Sequence, residues 1–259
     1  MNKIVNCISN MKDFDKDLYM DLNIGLEIQD FVNPNLLDEG WEGRLEEYKS
    51  VLDGFSNTLS LHGPFLDLKP ISPDSKIREI SYKRYLQLLQ IGKELNADYI
   101  IFHSQLNPWI KEDKIMELSY RLYGEFWNEI LRQVADFKGV VLIENVFEPH
   151  PAIMRELLDA IKLSNVKMCL DIGHALLESK LGLREWVEIL NSRIEYIHLH
   201  WNEGVYDEHN RPSTDNIILL KGILDSFNLN PIIALEYKIH DLKGEVERIT
   251  NIVENYNKI

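Results

Sequence analysis

Long apolar runs are missing from this 259-residue chain. None of its hydrophobic stretches approaches the roughly 18 residues that a membrane span needs, so no membrane association is expected. The opening residues, MNKIVNCISN, also lack the apolar stretch of a secretory signal, and a cytoplasmic protein is expected. Cysteine is scarce. Cys7 and Cys169 are too few for a disulfide framework, and each lies in its own apolar run, where a buried thiol reads as a core filler. Basic residues are outnumbered, 28 against 42 acidic ones, for a formal charge of −14. That balance disfavours a broad nucleic-acid surface, which depends on Lys and Arg. It does not exclude a phosphate-bearing substrate, because bound divalent cations would invert the local charge. No Gly-rich phosphate loop follows any strand-like run, which removes the dinucleotide-binding signature. Linkers, low-complexity tracts and internal boundaries are absent too, and one domain spanning residues 1–259 is expected.

What the sequence does contain is a regular series of short apolar, β-branched runs. They are KIVNCIS (3–9), IGLEIQ (24–29), TLSLHG (58–63), YIIFHS (99–104), VVLIEN (140–145), VKMCLDI (166–172), IEYIHLH (194–200) and PIIALEY (231–237). Amphipathic segments with helical spacing lie between most of them, for example residues 44–55, 76–95 and 115–137, and residues 244–256 close the series. The first connection, residues 10–23, is too short for a long helix. Continuous apolar strands alternating with helices imply a parallel sheet covered on its outer face. Eight such units predict an α/β fold, a single (β/α)8 TIM barrel, over the alternative of a doubly wound open sheet.

The informative feature is what ends these runs. His62, His103, Glu144, Asp171, His200 and Glu236 close runs three to eight, at intervals of 27 to 41 residues. Residues so far apart converge only when their strands are parallel neighbours, and in a barrel the C-terminal strand ends form the catalytic mouth. A lone His or Glu at a strand end is ordinarily just a satisfied polar group. Several ionisable groups buried together are costly unless a cation compensates them, and His, Asp and Glu are ligands that divalent ions take. Two local spacings extend the set: His174 follows Asp171 by three residues, and Asp207 and His209 lie two apart in the loop after run seven. The candidate metal ligands are therefore His62, His103, Glu144, Asp171, His174, His200, Asp207, His209 and Glu236. Nine exceed what one ion uses, so a multinuclear site, one to three ions of zinc or manganese, is expected.

The segments LHGPF, FHS, IEN, LDIGHA, HLHWN, DEH and ALEY, in this order, resemble the xylose-isomerase-like barrel superfamily, which includes sugar isomerases and epimerases and the endonuclease IV type of abasic-site nuclease. The resemblance covers about residues 24–240. In the epimerases it implies one metal held by Glu144, Asp171, His200 and Glu236, with Glu144 and Glu236 as catalytic acid and base. In the nuclease branch it implies three zinc ions: His62, His103 and Glu144 on one, Glu144 bridging to Asp171, His200 and Glu236 on the second, and His174, Asp207 and His209 on the third. FHSQLNP stands where the nuclease branch has an HPG-type segment, and HLHWN where it has HLND. DEHNRPSTDN lacks the glycines that follow DEH in many sugar-isomerase-like barrels, and no basic, aromatic-interleaved loop reads as a DNA wedge.

The favoured expectation is a metal-dependent isomerase or epimerase of a sugar or sugar phosphate; a zinc phosphoesterase acting on abasic DNA is the alternative. Arg211, Lys238 and Trp109 are candidate substrate contacts, each equally suited to an ordinary surface role. Glu27 reads as a hydrogen-bonded scaffold residue, His198 as a partner to the ligands one layer deeper, and Asn145 and Glu203 as residues within reach of substrate.

Overall fold

The computed structural model describes residues 3–177 and 181–256. Eight parallel strands, hydrogen-bonded in sequence order, close into a barrel as β8 pairs with β1. They are β1 (Ile4–Ile8), β2 (Gly25–Ile28), β3 (Leu59–His62), β4 (Tyr99–His103), β5 (Val140–Glu144), β6 (Val166–Asp171), β7 (Ile194–Leu199) and β8 (Ile232–Leu235). Each falls inside the run expected for it. The helices are α1 (Lys16–Leu22), α2 (Pro34–Asp38), α3 (Trp41–Val51), α4 (Ser75–Glu94), α5 (Asp113–Gln133), α6 (Pro151–Ile161), α7 (Ile172–Leu176), α8 (Leu183–Leu190), α9 (Thr214–Ser226) and α10 (Leu242–Asn255). The short first connection holds a single 3-10 turn, Met11–Asp13, and the seven residues of α1, capped by the Asp15 side chain accepting from Leu18 N. No helix among the described residues is long and apolar enough to cross a membrane.

Side chains alternate across a strand, and that rule sorts the barrel into two cores. Outward residues such as Ile100, Phe102, Ile143 and Leu170 pack beneath the helices. Inward residues form a small separate cluster of Val5, Ile101, Leu142, Cys169, Tyr196, Ile232 and Ala234. Continuing the same alternation toward the C-terminal ends, Ile101 is followed by His103, Leu142 by Glu144, Cys169 by Asp171, Tyr196 by His198 and His200, and Ala234 by Glu236. The apolar plug of the barrel is thus the floor on which the ionisable groups stand. Both cysteines are free, and Cys169 is buried in that floor.

Candidate metal centre and barrel mouth

The strand ends bring the expected residues together around Glu144, which is buried at the tip of β5. His62 Nε2 lies 3.3 Å from its Oε2, while His103 Nε2 at 3.6 Å and His174 Nδ1 at 3.3 Å both approach Oε1. Asp171, at the end of β6, meets His200 Nε2 at 3.0 Å. Asp207 closes the far side, with His174 Nε2 and His209 Nε2 each 3.2 Å from Oδ2. His209 stacks on His200 with ring centroids 3.9 Å apart. Four of the resulting groups are close enough to share a metal ion and draw largely on the nine residues: Glu144–Asp171–His174, His200–Asp207–His209 and, with His198, His62–Glu144–His198 and Asp171–His198–Glu236.

Local chain geometry explains how the groups reach one another. Asp171 ends its strand and caps α7, its Oδ1 accepting from His174 N at 2.7 Å, so a single turn carries His174 back over the mouth. Gly173 makes room for the neighbouring strand: a Cβ there would meet the His200 ring at 1.9 Å. Asn145 clamps the backbone of Asp171 in both directions, donating to its O at 3.0 Å and accepting from its N at 2.9 Å. That use replaces the substrate contact expected of Asn145. His209 is held with φ +48° and pairs through Nδ1 with Glu236 O at 2.7 Å.

Beneath the mouth lies a hub that sequence reasoning saw only in part. His198 is fully buried; its Nε2 is 3.1 Å from Glu27 Oε2, while its Nδ1 faces Glu236 at 3.2 Å, Glu144 at 3.4 Å and Asp171 at 3.7 Å. Glu27 accepts from Tyr196 Oη at 2.9 Å and from Gln29 Nε2 at 3.2 Å. Gln29 also donates to Glu236 Oε1 at 2.8 Å and so ties the floor to the rim. Gln29 was missed altogether, although its position two residues after Glu27 puts it on the same inward face. A second missed pair is Ser104 and Glu148: the Ser104 hydroxyl donates to Glu148, and burial pushes the Glu148 carboxyl up.

The electrostatics bear on whether a cation fits. Burial pushes the His103 imidazole down to about 3, which keeps it neutral, the form that ligates metal. Burial also raises the Glu144 carboxyl, but His103, His198 and His174 outweigh it and hold the group well below the ordinary range. Burial and the nearby Asp171, Glu144 and Glu27 carboxylates push Glu236 up against the pull of His198. Despite these close approaches, three buried atoms in this cluster, Glu144 Oε2, His198 Nδ1 and His200 Nδ1, make no well-aligned hydrogen bond among the described residues. Buried polar atoms are rarely left so, and a cation bound among Glu144, His200 and their neighbours would satisfy the ligand atoms. The residues present fit a divalent metal.

The mouth opens into a cavity of about 670 Å³. His62, His103, Glu144, His174, Asp207, His209 and Glu236 line it, as does Trp109, which is 84% exposed. Arg211 does not: its guanidinium pairs with Glu245 of α10. Lys238 and Glu203 are exposed outside the cavity. His150 caps α6, accepting from Ala152 N at 3.1 Å.

Comparison with known proteins agrees with this architecture. The family described as xylose isomerase-like TIM barrel matches residues 25–255. The TTHB071 protein from Thermus thermophilus, in a structure soaked with ZnCl2, superposes with a TM-score of 0.77 at 26% identity, covering 98% of each chain. A D-tagatose 3-epimerase-like protein superposes with a TM-score of 0.72 at 19% identity, covering 100% of this chain and 97% of its own. The probable endonuclease 4 of Aquifex aeolicus is 24% identical over 163 residues, 59% of this chain and 56% of that protein.

Proposed function

Because the chain belongs to the xylose isomerase-like TIM barrel family, we propose that it is a divalent-metal-dependent isomerase or epimerase of a sugar or sugar phosphate. The observation that carries this reading is the placement of Glu144 and Glu236. Both carboxylates face His198 Nδ1, at 3.4 and 3.2 Å, and both line the same open cavity. Two carboxylates converging on one small volume suit an acid and a base acting on the same carbon. Glu144, Asp171, His200 and Glu236 would hold one zinc or manganese ion. His62 and His103, and the group His174, Asp207 and His209, offer positions for a second and a third. A bound divalent ion supplies Lewis acidity, stabilising negative charge that develops on oxygen beside the carbon losing its proton.

The protein's own part is orientation and proton movement. Gln29 and His198 hold Glu236 from below, and Glu144 is held among four imidazoles, His62, His103, His174 and His198. Trp109 offers an aromatic wall for a sugar face at the cavity rim. The test is deuterium incorporation from D2O into a panel of ketoses and ketose phosphates, followed by NMR with zinc- or manganese-loaded protein. Exchange at the carbon beside the carbonyl is expected, falling roughly 10²–10⁴-fold in Glu236→Gln. No exchange on any member, together with cleavage of an abasic duplex, would sink the reading.

Convergence of His174 and His209 on Asp207 favours a second reading, a multinuclear phosphoesterase. It stands behind the first because Lys69 is the one Lys or Arg among the described residues lining the mouth cavity, whereas an extended phosphodiester calls for several cations.

A further inference from the structure

The mouth cavity does not end at the metal centre. It shares Lys69, Gln105, Leu106 and Asn107 with a second hollow of about 920 Å³ that runs between the loop before α4 and the loop before α5. Drug-sized ligands occupy sites of roughly 300–1,000 Å³, so the two adjoining spaces together offer far more room than one sugar ring requires. Its apolar lining comes from Ile71, Tyr82, Ile110, Ile115, Leu118 and Phe126, with charged residues interspersed. Ile115 and Leu118 are each 43% exposed. The junction is braced rather than loose: Gln105 adopts φ +54° and donates from Nε2 to Phe65 O at 2.8 Å, tying the two loops together.

Charge is distributed unevenly along this path. Lys69 is exposed at the junction, and among the described residues its ammonium has no ion pair or hydrogen bond. Farther along, Glu79, Glu125 and Glu129 line the hollow; Glu79 pairs with Lys76 at 3.2 Å and Glu125 with Arg121 at 3.1 Å, which leaves Glu129 as the uncompensated charge among the described residues, while Arg78 is occupied by the carbonyls of Ser72 and Pro73. One negative group is therefore welcome at Lys69, and Glu129 disfavours a second one farther out.

The geometry points to an elongated amphipathic substrate: a polar head at the metal centre, a single anionic group at Lys69 and a neutral apolar tail in the groove between α4 and α5. The head rests on the isomerase reading above; the anion and tail rest on the groove alone. Lys69 and Leu118 are then specificity-determining residues, and neither belongs to the metal centre.

Calorimetry on the full chain, with and without chelator, tests this using n-butyl phosphate, n-octyl phosphate, octanoate and octyl glucoside below their micelle concentrations. Affinity is expected to rise roughly fourfold per added methylene that reaches the groove, with or without metal. Leu118→Glu should abolish the dependence on chain length and leave butyl phosphate unchanged. Lys69→Met should weaken octyl phosphate roughly threefold and leave octyl glucoside unchanged. Octanoate binding as well as octyl phosphate would make the anion a carboxylate; weaker binding would make it a phosphate, and both fit the proposal. Equal affinity of butyl and octyl phosphate, or a chain-length gain that survives Leu118→Glu, would overturn it. So would binding that vanishes with chelator, which places the anion on the metal. A dimer that Leu118→Glu converts to monomer would also overturn it, by giving the groove to a second copy. Deuterium exchange and metal content report separately on the isomerase reading, so either idea can fail while the other stands.

Discussion

The His200 ring stands where a side chain on Gly173 would be, with a contact of 1.9 Å awaiting any Cβ. Gly173→Ala must therefore push His200 away from Asp171 or displace α7, and overpacking of this kind costs about 1–3 kcal/mol. The expected result is a lower melting temperature together with zinc affinity reduced by at least about tenfold, read by thermal unfolding and by competition with a chromophoric chelator. Unchanged affinity would show that His200 does not ligate. Glu27 makes a different case, since it is fully buried and meets Tyr196, Gln29 and His198, with Cys7 also beside it. Glu27→Gln keeps the shape and removes the charge that orients His198. Groups that orient metal ligands are typically worth 10–100-fold in affinity, and a loss of about that size is expected in the same competition assay. An unaltered value would reduce Glu27 to a packing role.

Among the elements, α10 is fastened to the mouth loops through one carboxylate. Glu245, almost fully buried, pairs with Arg211 from the loop after β7, accepts from Tyr237 Oη at 2.6 Å just past β8, and pairs with Arg248 on its own helix. Burial raises its carboxyl, but Arg248, Arg211 and Tyr237 outweigh that and hold it at about 2. A carboxyl depressed on folding stabilises the protein above its ordinary value of about 4.3, and that contribution is lost as pH falls from there toward 2. Glu245→Gln is expected to cost about 1–3 kcal/mol at pH 7, or roughly 2–4 °C of melting temperature per kcal/mol, with the gap to the parent protein narrowing below pH 4. Melts at pH 7 and pH 3 check both parts; a gap that stays constant would mean that the charge is not what matters.

The same ion pair gives Arg211 the surface role that the sequence left equally open. Trp201 and Asn210 form an antiparallel bridge, which folds the loop after β7 back on itself and turns Arg211 outward toward α10. That path depends on loop closure, which strand periodicity does not encode. Strand ends are different: two-residue alternation together with a parallel barrel places His62, His103, Glu144, Asp171, His200 and Glu236 at the mouth with no further information. Depth along the barrel axis is intermediate. His198 and Glu27 were legible as inward residues, but their meeting requires the ring to close between β2 and β7 across the interior, and only the closed barrel shows that contact. Asn145 was legible as a mouth residue and proved to clamp a backbone.

At the scale of the whole molecule, the barrel gathers carboxylates and imidazoles on its mouth in a chain that already carries a charge of −14. Buried ionisable groups cost stability unless a cation compensates them, so removal of the proposed metal is expected to be visible as lost stability. A ligand present at about 100 times its dissociation constant adds about 2.7 kcal/mol, which for a chain of this size is roughly 5–10 °C. Chelator is expected to lower the melting temperature by about that amount, and added zinc or manganese to restore it. A melting temperature indifferent to chelator would count against a bound ion.

The most direct test of the account is metal stoichiometry per chain, measured by native mass spectrometry on protein purified without chelators or an affinity tag, in the parent chain and in Glu144→Ala. Convergence of the nine residues predicts one to three divalent ions per chain, with at least one lost when Glu144 is removed. A chain that retains no ion, even after dialysis against zinc and manganese, would contradict it.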